Sequence, residues 1–221
     1  MPSTTSCAAL FCCLASALAP LSARAAGAIV DKETGTRFHP DQTIGATTFQ
    51  CVGAGVRKVF IVNVYAAEFC LEQGSLRPAL DYVASARAGG GSPSDVADRL
   101  ASEPALFKTL VDVPGGKLLI MHLVRDITRE DLAKAFRESL AKVLPPEKVE
   151  KLVSIIPGDP KKSQDVKLSS AGDTLTIDIA GHTNKVDDAQ IAQNIWWVWL
   201  GKDSVSPSLK ESIAKHLVEG L

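Results

Sequence analysis

Arg57 stands two residues before a run dense in β-branched and aromatic side chains, Val59-Phe60-Ile61-Val62-Asn63-Val64-Tyr65, which closes on a tyrosine. A guanidinium buried without a partner beside such a strand costs several kcal/mol, so a buried Arg57 requires an anion. A carboxylate fits. Arg supplies a bidentate fork and Tyr a single hydroxyl donor, a set that fixes an acidic head while an acyl or aryl tail lies along apolar side chains. The plainer reading leaves Arg57 exposed at a hairpin turn and Tyr65 at the rim of a sheet. Other chemistry is scarce. The chain has no G-x-S-x-G elbow, no phosphate-loop lysine after Gly89-Gly90-Gly91, no G-x-G-x-x-G and no H-E-x-x-H. His39, His122, His182 and His216 are too dispersed for a metal site, so neither a metal nor a cofactor is expected. Trp196 and Trp199 share a helical face with Ile195 and read as core rather than as a sugar platform.

The remaining reactive residues are cysteines, and their meaning depends on the compartment. The first 25 residues carry one charge, Arg24, and an apolar run from Cys7 to Ala19 of the length found in secretory leaders. Ala23-Arg24-Ala25 offers small residues for a cut, which places the mature start at Ala26 or Gly27. Residues 1–25 are therefore expected to be a signal peptide and residues 26–221 one domain, exported to the periplasm or secreted. The Ser/Thr-rich, acid-free start also suits an organellar transit peptide. Cys7, Cys12 and Cys13 leave with the leader, so Cys51 and Cys70 become a candidate disulfide in an oxidising compartment, or two small core residues elsewhere. Pairing supplies a check: Arg57 opposes Tyr65 when paired numbers sum to 122, and Cys51 opposes Cys70 when they sum to 121. Both hold with one bulge between them, for which Gly53 or Gly55 is suited.

The elements that must position these residues follow from periodicity and turn chemistry. A polar segment from Asp31 to Thr43 precedes a β-rich block, Thr47 to Leu71, broken by Gly53-Ala54-Gly55. Ser75 to Arg87 reads as a helix, Ser92-Pro93 starts another, and Lys117 to Val124 is a buried strand. Thr128 to Asp131 resembles a capping box, followed by Leu132, Phe136, Leu140 and Val143 at helical spacing. Pro145-Pro146 starts a helix with Val149, Leu152 and Val153 inward. Val166–Leu168 and Leu175–Ile179 form a hairpin across Ala171-Gly172-Asp173. Asp187 or Asp188 caps a helix to Leu200, and Ser206-Pro207 caps the last one. Strands and helices without βαβ alternation make an α+β fold, an antiparallel sheet covered by helices. With 221 residues, 46% of them hydrophobic and 22% charged, the chain affords one sizeable core. Its 24 basic and 25 acidic residues leave a net charge of -1, so no nucleic-acid partner is expected. No second apolar run reaches membrane-spanning length.

Three separated blocks carry a family resemblance: Gly53-Ala54-Gly55-Val56-Arg57 with Asn63-Val64-Tyr65-Ala66-Ala67, then His122 to Arg137, then Trp199 to Lys210. The chain resembles the chalcone isomerase-like family, most closely its bacterial exported branch. The resemblance implies an open-faced β-sandwich, a curved antiparallel sheet backed by helices with a ligand cleft between them. In that family the catalytic branch cyclises chalcones, whereas the fatty-acid-binding branch holds a carboxylate with an Arg and a Tyr. Those positions fall on Arg57 and Tyr65. Positions where the catalytic branch places Tyr, Asn and a late Thr fall on Leu132, Ser139 and Val198, so no catalytic residue is assigned. The segment between Arg57 and Tyr65 is shorter than in the plant enzymes, and Ile179 to Asp188 lacks part of a hairpin common in the bacterial branch. The expectation is a non-catalytic exported protein whose partner is a fatty acid or similar amphipathic carboxylate. The alternatives are an intramolecular lyase of chalcone isomerase type, in which Arg57 stabilises developing negative charge, and a structural or interaction protein with a filled cleft.

Overall fold

In a computed structural model, residues 28–31 and 33–220 are described. The expected leader, its cysteines and the cut site at Ala23-Arg24-Ala25 lie outside them. In chain order the elements are β1 (Ile29–Val30), β2 (Arg37–Phe38), β3 (Asp41–Ile44), β4 (Thr47–Val59), β5 (Val62–Glu72), α1 (Arg77–Ala88), α2 (Pro93–Ala101), α3 (Pro104–Asp112), β6 (Lys117–Leu123), α4 (Arg129–Leu140), α5 (Pro146–Ser154), β7 (Asp165–Ala171), β8 (Thr174–Ile179), β9 (His182–Asp187), α6 (Ala189–Asn194), α7 (Trp197–Leu200) and α8 (Pro207–Glu219). Strands β3 to β9 form one seven-stranded antiparallel sheet in sequence order, and β1 pairs with β2 apart from it. The helices bury their apolar stripes against one side of the sheet, where Ala67, Phe69, Leu71, Leu119 and Met121 meet Phe107, Leu110, Phe136 and Trp196 in one core. Phe69 and Trp196 pack as a tilted pair with ring centroids 5.9 Å apart.

The expected break at Gly53-Ala54-Gly55 is absent: β4 runs through it. The glycines serve packing instead. A Cβ on Gly53 would sit 2.6 Å from the Ile213 backbone nitrogen, and one on Gly55 2.2 Å from that of Leu209, so only glycine admits α8 this close to the strand. Beyond the reach of β3, serines of the α8 region satisfy the edge of β4. The Ser208 Oγ accepts from the Val56 N–H at 2.9 Å, the Ser212 Oγ accepts from the Ala54 N–H at 3.1 Å, and the Ser206 hydroxyl donates to the Val56 carbonyl at 2.9 Å. This covering of a sheet edge occupies backbone groups that would otherwise template pairing with another chain. It also redirects Ser206, whose side chain does not cap α8 as its place before Pro207 suggested.

Two capping boxes form as the sequence specifies, Ser92 with Asp95 and Thr128 with Asp131, each worth about 1 kcal/mol. Four elements differ from the sequence reading. Asp31 to Thr43 contains β2 and most of β3 despite its polarity. The helix from Asp188 to Leu200 is two pieces, because Val198 and Trp199 bond back three residues to Ile195 and Trp196 and tighten the backbone between α6 and α7. Ile179 to Asp188 holds an edge strand, β9, with Val186 alone buried. Val143 lies beyond the end of α4 and is exposed.

Candidate functional site

Arg57 and Tyr65 are direct cross-strand partners on β4 and β5. The register shift that permits this lies between Cys51 and Gly53, where Val52 is the extra residue rather than Gly53 or Gly55, both of which are paired, so Cys51 still faces Cys70. Those two cysteines are joined with an S–S distance of 2.04 Å. The bulge leaves the disulfide on the outer side of the sheet and Arg57 with Tyr65 on the helix-facing side.

Tyr65 is 5% exposed, and its hydroxyl oxygen accepts a hydrogen bond from the Trp199 Nε1 at 2.9 Å. An indole nitrogen only donates. The Tyr65 oxygen is thus engaged as an acceptor, and its own proton is left for an acceptor elsewhere. Burial pushes the Tyr65 pKa up, partly opposed by the Arg57 guanidinium beside it and by the Trp199 hydrogen bond, so the phenol remains a neutral donor at physiological pH. Arg57 is half-buried, and no carboxylate among the described residues forms an ion pair with it. Arg57, which also hydrogen-bonds toward the Tyr65 oxygen, and the Tyr65 hydroxyl therefore place a cationic donor and a neutral one on one side of two adjacent strands. Such a pair can hold an anion by one charge-assisted fork and one neutral hydrogen bond.

Leu132 and Phe136 of α4 join Val198 and Trp199 of α7 in the buried core that includes Tyr65, and Phe136 meets Trp199 edge-on at 6.5 Å. The half-buried Ser139 carries the one hydroxyl among Leu132, Ser139 and Val198. Two cavities lie elsewhere. One of about 600 Å³ sits among α2, α3, α7 and α8, walled by Trp197, Leu200, Lys108, Lys202 and Lys210. Another of about 700 Å³ lies between β1, α2 and α8. Neither is lined by Arg57 or Tyr65.

The outer side of β5 carries a second buried polar group. Glu68 has no exposed surface; Gln42 Nε2 donates to its Oε2 at 3.2 Å, and its Oε1 has no partner. Burial, with Asp165 adding a smaller push, raises its pKa to about 8, against the Gln42 hydrogen bond. The carboxyl is accordingly protonated near neutrality. Glu68, Cys51 and Cys70 form one group of potential metal ligands within 4.8 Å of one another, but the two sulfurs are bonded to each other and are not thiolate donors.

Sequence reasoning placed Arg57, Tyr65, Cys51 and Cys70 correctly on paired strands and passed over Trp199 and Glu68. A signal existed for each. A buried indole N–H needs an acceptor, and Glu68 is the lone charge in Val64-Tyr65-Ala66-Ala67-Glu68-Phe69-Cys70-Leu71.

No family model matches the chain, and no curated protein matches it in sequence. Among solved structures it is similar to a crystal structure of a fatty-acid binding protein from Arabidopsis thaliana, with a TM-score of 0.66 and 16% identity over 87% of this chain and 98% of that one. The fold is chalcone isomerase-like: a curled antiparallel sheet backed by helices, as the resemblance implied.

Proposed function

We propose that this chain is a non-catalytic binder of a fatty acid or similar amphipathic carboxylate, held at the head by Arg57 and Tyr65. One observation carries the reading: an arginine without a carboxylate partner opposes a buried tyrosine whose oxygen is occupied by Trp199 and whose proton is unspent. The structural neighbour's own description, a fatty-acid binding protein, supports the ligand class. Arg57 would take the carboxylate through its fork, Tyr65 would donate to one oxygen, and the tail would enter the apolar layer beneath α4 and α7 by displacing Leu132 or Phe136 from the strands. The resemblance to the bacterial exported branch, together with the leader-like start, supports action in an oxidising compartment outside the cytosol.

Titration with dodecanoate tests the site. Wild type should bind, and Arg57→Ala should lose tenfold or more. Native mass spectrometry of the purified protein should show a co-purifying acid. The Trp199 indole on Tyr65, with Phe136 edge-on to it, favours one rival, a structural or interaction protein with a filled cleft, which wild-type binding unchanged in both Arg57→Ala and Tyr65→Phe would support. Stereoselective chalcone cyclisation abolished by Arg57→Ala would instead establish an intramolecular lyase.

A further inference from the structure

The β4–β5 hairpin ends in four consecutive apolar residues that no other described residue covers. Phe60 is 96% and Ile61 93% exposed, with Val59 at 43% and Val62 at 44% on the strands below them. Two-residue hairpin turns ordinarily use Asn-Gly or Gly-X. Here the turn residues are Phe60 and Ile61, with Phe60 at a φ of 55°, a conformation rare for a bulky side chain. A turn that needs glycine for its geometry and a polar residue for solubility has neither, and it presents two of the largest apolar side chains to solvent.

The surroundings identify what such a tip fits. Lys58 flanks it on β4. Val124 donates to the Val64 carbonyl, which sets the exposed Arg125 beside the hairpin, and Ser163 donates to the Leu123 carbonyl, which brings the exposed Lys161 and Lys162 to the same end of the sheet. Three carboxylates share this end: Glu33 pairs with Lys58, while Asp126 and Asp159 keep their charge and accept from the Lys162 and Arg129 backbone N–H groups; Arg125, Lys161 and Lys162 form no ion pair among the described residues. An apolar tip within a collar of exposed cations matches a bilayer surface that carries anionic headgroups, with acyl chains below them. We propose that the Val59–Val62 tip inserts into the interface of an anionic lipid membrane, with Arg125, Lys161 and Lys162 on the headgroups. The tip lies about 10 Å along β4 from Arg57, so on the carboxylate-binding reading it would hold the site at the membrane from which an amphipathic acid is drawn; the insertion itself stands without that reading.

The test is co-sedimentation of the protein as expressed, its N-terminus read by intact mass, with vesicles of phosphatidylcholine alone or with one-third phosphatidylglycerol. Wild type should bind the mixed vesicles, more weakly in high salt, and Phe60→Ser with Ile61→Ser should lose about tenfold or more. The indole introduced by Phe60→Trp should be quenched by brominated lipid beyond the wild-type background of buried Trp196 and Trp199 and half-buried Trp197. Dodecanoate binding in solution should survive the double serine variant, whereas Arg57→Ala should lose dodecanoate and keep vesicles, which separates the two readings. Vesicle binding equal in wild type and the double variant, or no binding by wild type, overturns the proposal. So does a wild-type dimer that the double variant dissolves while vesicles capture neither, which would make the tip a contact between copies.

Discussion

Strand β5 carries a buried polar side chain on each of its faces, and the two are provisioned in opposite ways. On the helix-facing side, Tyr65 is supported by the Trp199 N–H and lies beside a guanidinium, so the site holds donors that lack an acceptor. On the outer side, Glu68 receives one amide donor and has an unpartnered oxygen next to a disulfide, so that face holds an acceptor that lacks donors. An excess of donors is repaired by an incoming anion, and an excess of acceptors by taking up a proton. The first arrangement suits the binding site proposed above. The second makes a pH-dependent stability.

The largest expected effect comes from the acceptor-rich face. The folded pKa of Glu68, about 8, lies above its ordinary 4.5, so the native state binds the proton more tightly than the unfolded chain. Stability from this group is fully present below about pH 4.5 and is lost as pH rises to about 8, by on the order of 4 kcal/mol. Thermal melts of wild type between pH 5 and 8.5 should fall accordingly, and Glu68→Gln should flatten that dependence. A wild-type melt equally flat would show that Glu68 is not desolvated and would erase the contrast between the faces.

Beside Glu68, the Cys51–Cys70 bridge closes a 19-residue separation, for which chain-entropy arguments give on the order of 3 kcal/mol. Reduction should lower the melting temperature clearly, and alkylation of the unreduced, denatured protein should modify neither cysteine. Two modified thiols would place the protein in a reducing compartment.

On the donor-rich face, Arg57→Ala removes a charge-assisted contact worth about 1.5 to 3 kcal/mol. Dodecanoate affinity measured by calorimetry should fall tenfold or more, with the melting temperature little changed because Arg57 forms no ion pair among the described residues. Strong destabilisation without loss of affinity would recast Arg57 as structural. The smallest effect belongs to Tyr65→Phe, which should cost less affinity than Arg57→Ala. It should also lower stability by about 1 kcal/mol, because the Trp199 N–H is left buried without an acceptor. Trp199→Phe combined with Tyr65→Phe should then cost less than the sum of the two single changes.

Local rules determined much of this molecule from the sequence. Ser92-Pro93 and Thr128 through Asp131 specified their caps because capping is settled within four residues. Parity arithmetic on residues 51, 57, 65 and 70 made the two pairings compatible only through one bulge, since strand pairing conserves register, and both pairings and a bulge are present. The cross-strand pairing of Arg57 with Tyr65 was legible in the same arithmetic, whereas the demand for an anion depended on burial, and Arg57 is half-buried. Tertiary structure decided the rest. Gly53 and Gly55 read locally as a strand break, yet they are strand residues because α8, more than 150 positions later, occupies the space their side chains would fill. Ser206 was drawn from its cap to the Val56 carbonyl by the same docking. Trp199 could be assigned to the core but not to Tyr65, and Glu68 could be seen as a lone charge but not as an acid kept protonated, because both depend on which distant groups exclude water. A side chain's type fixes what it can donate or accept; only the fold fixes which partners reach it and how much water is left to replace them.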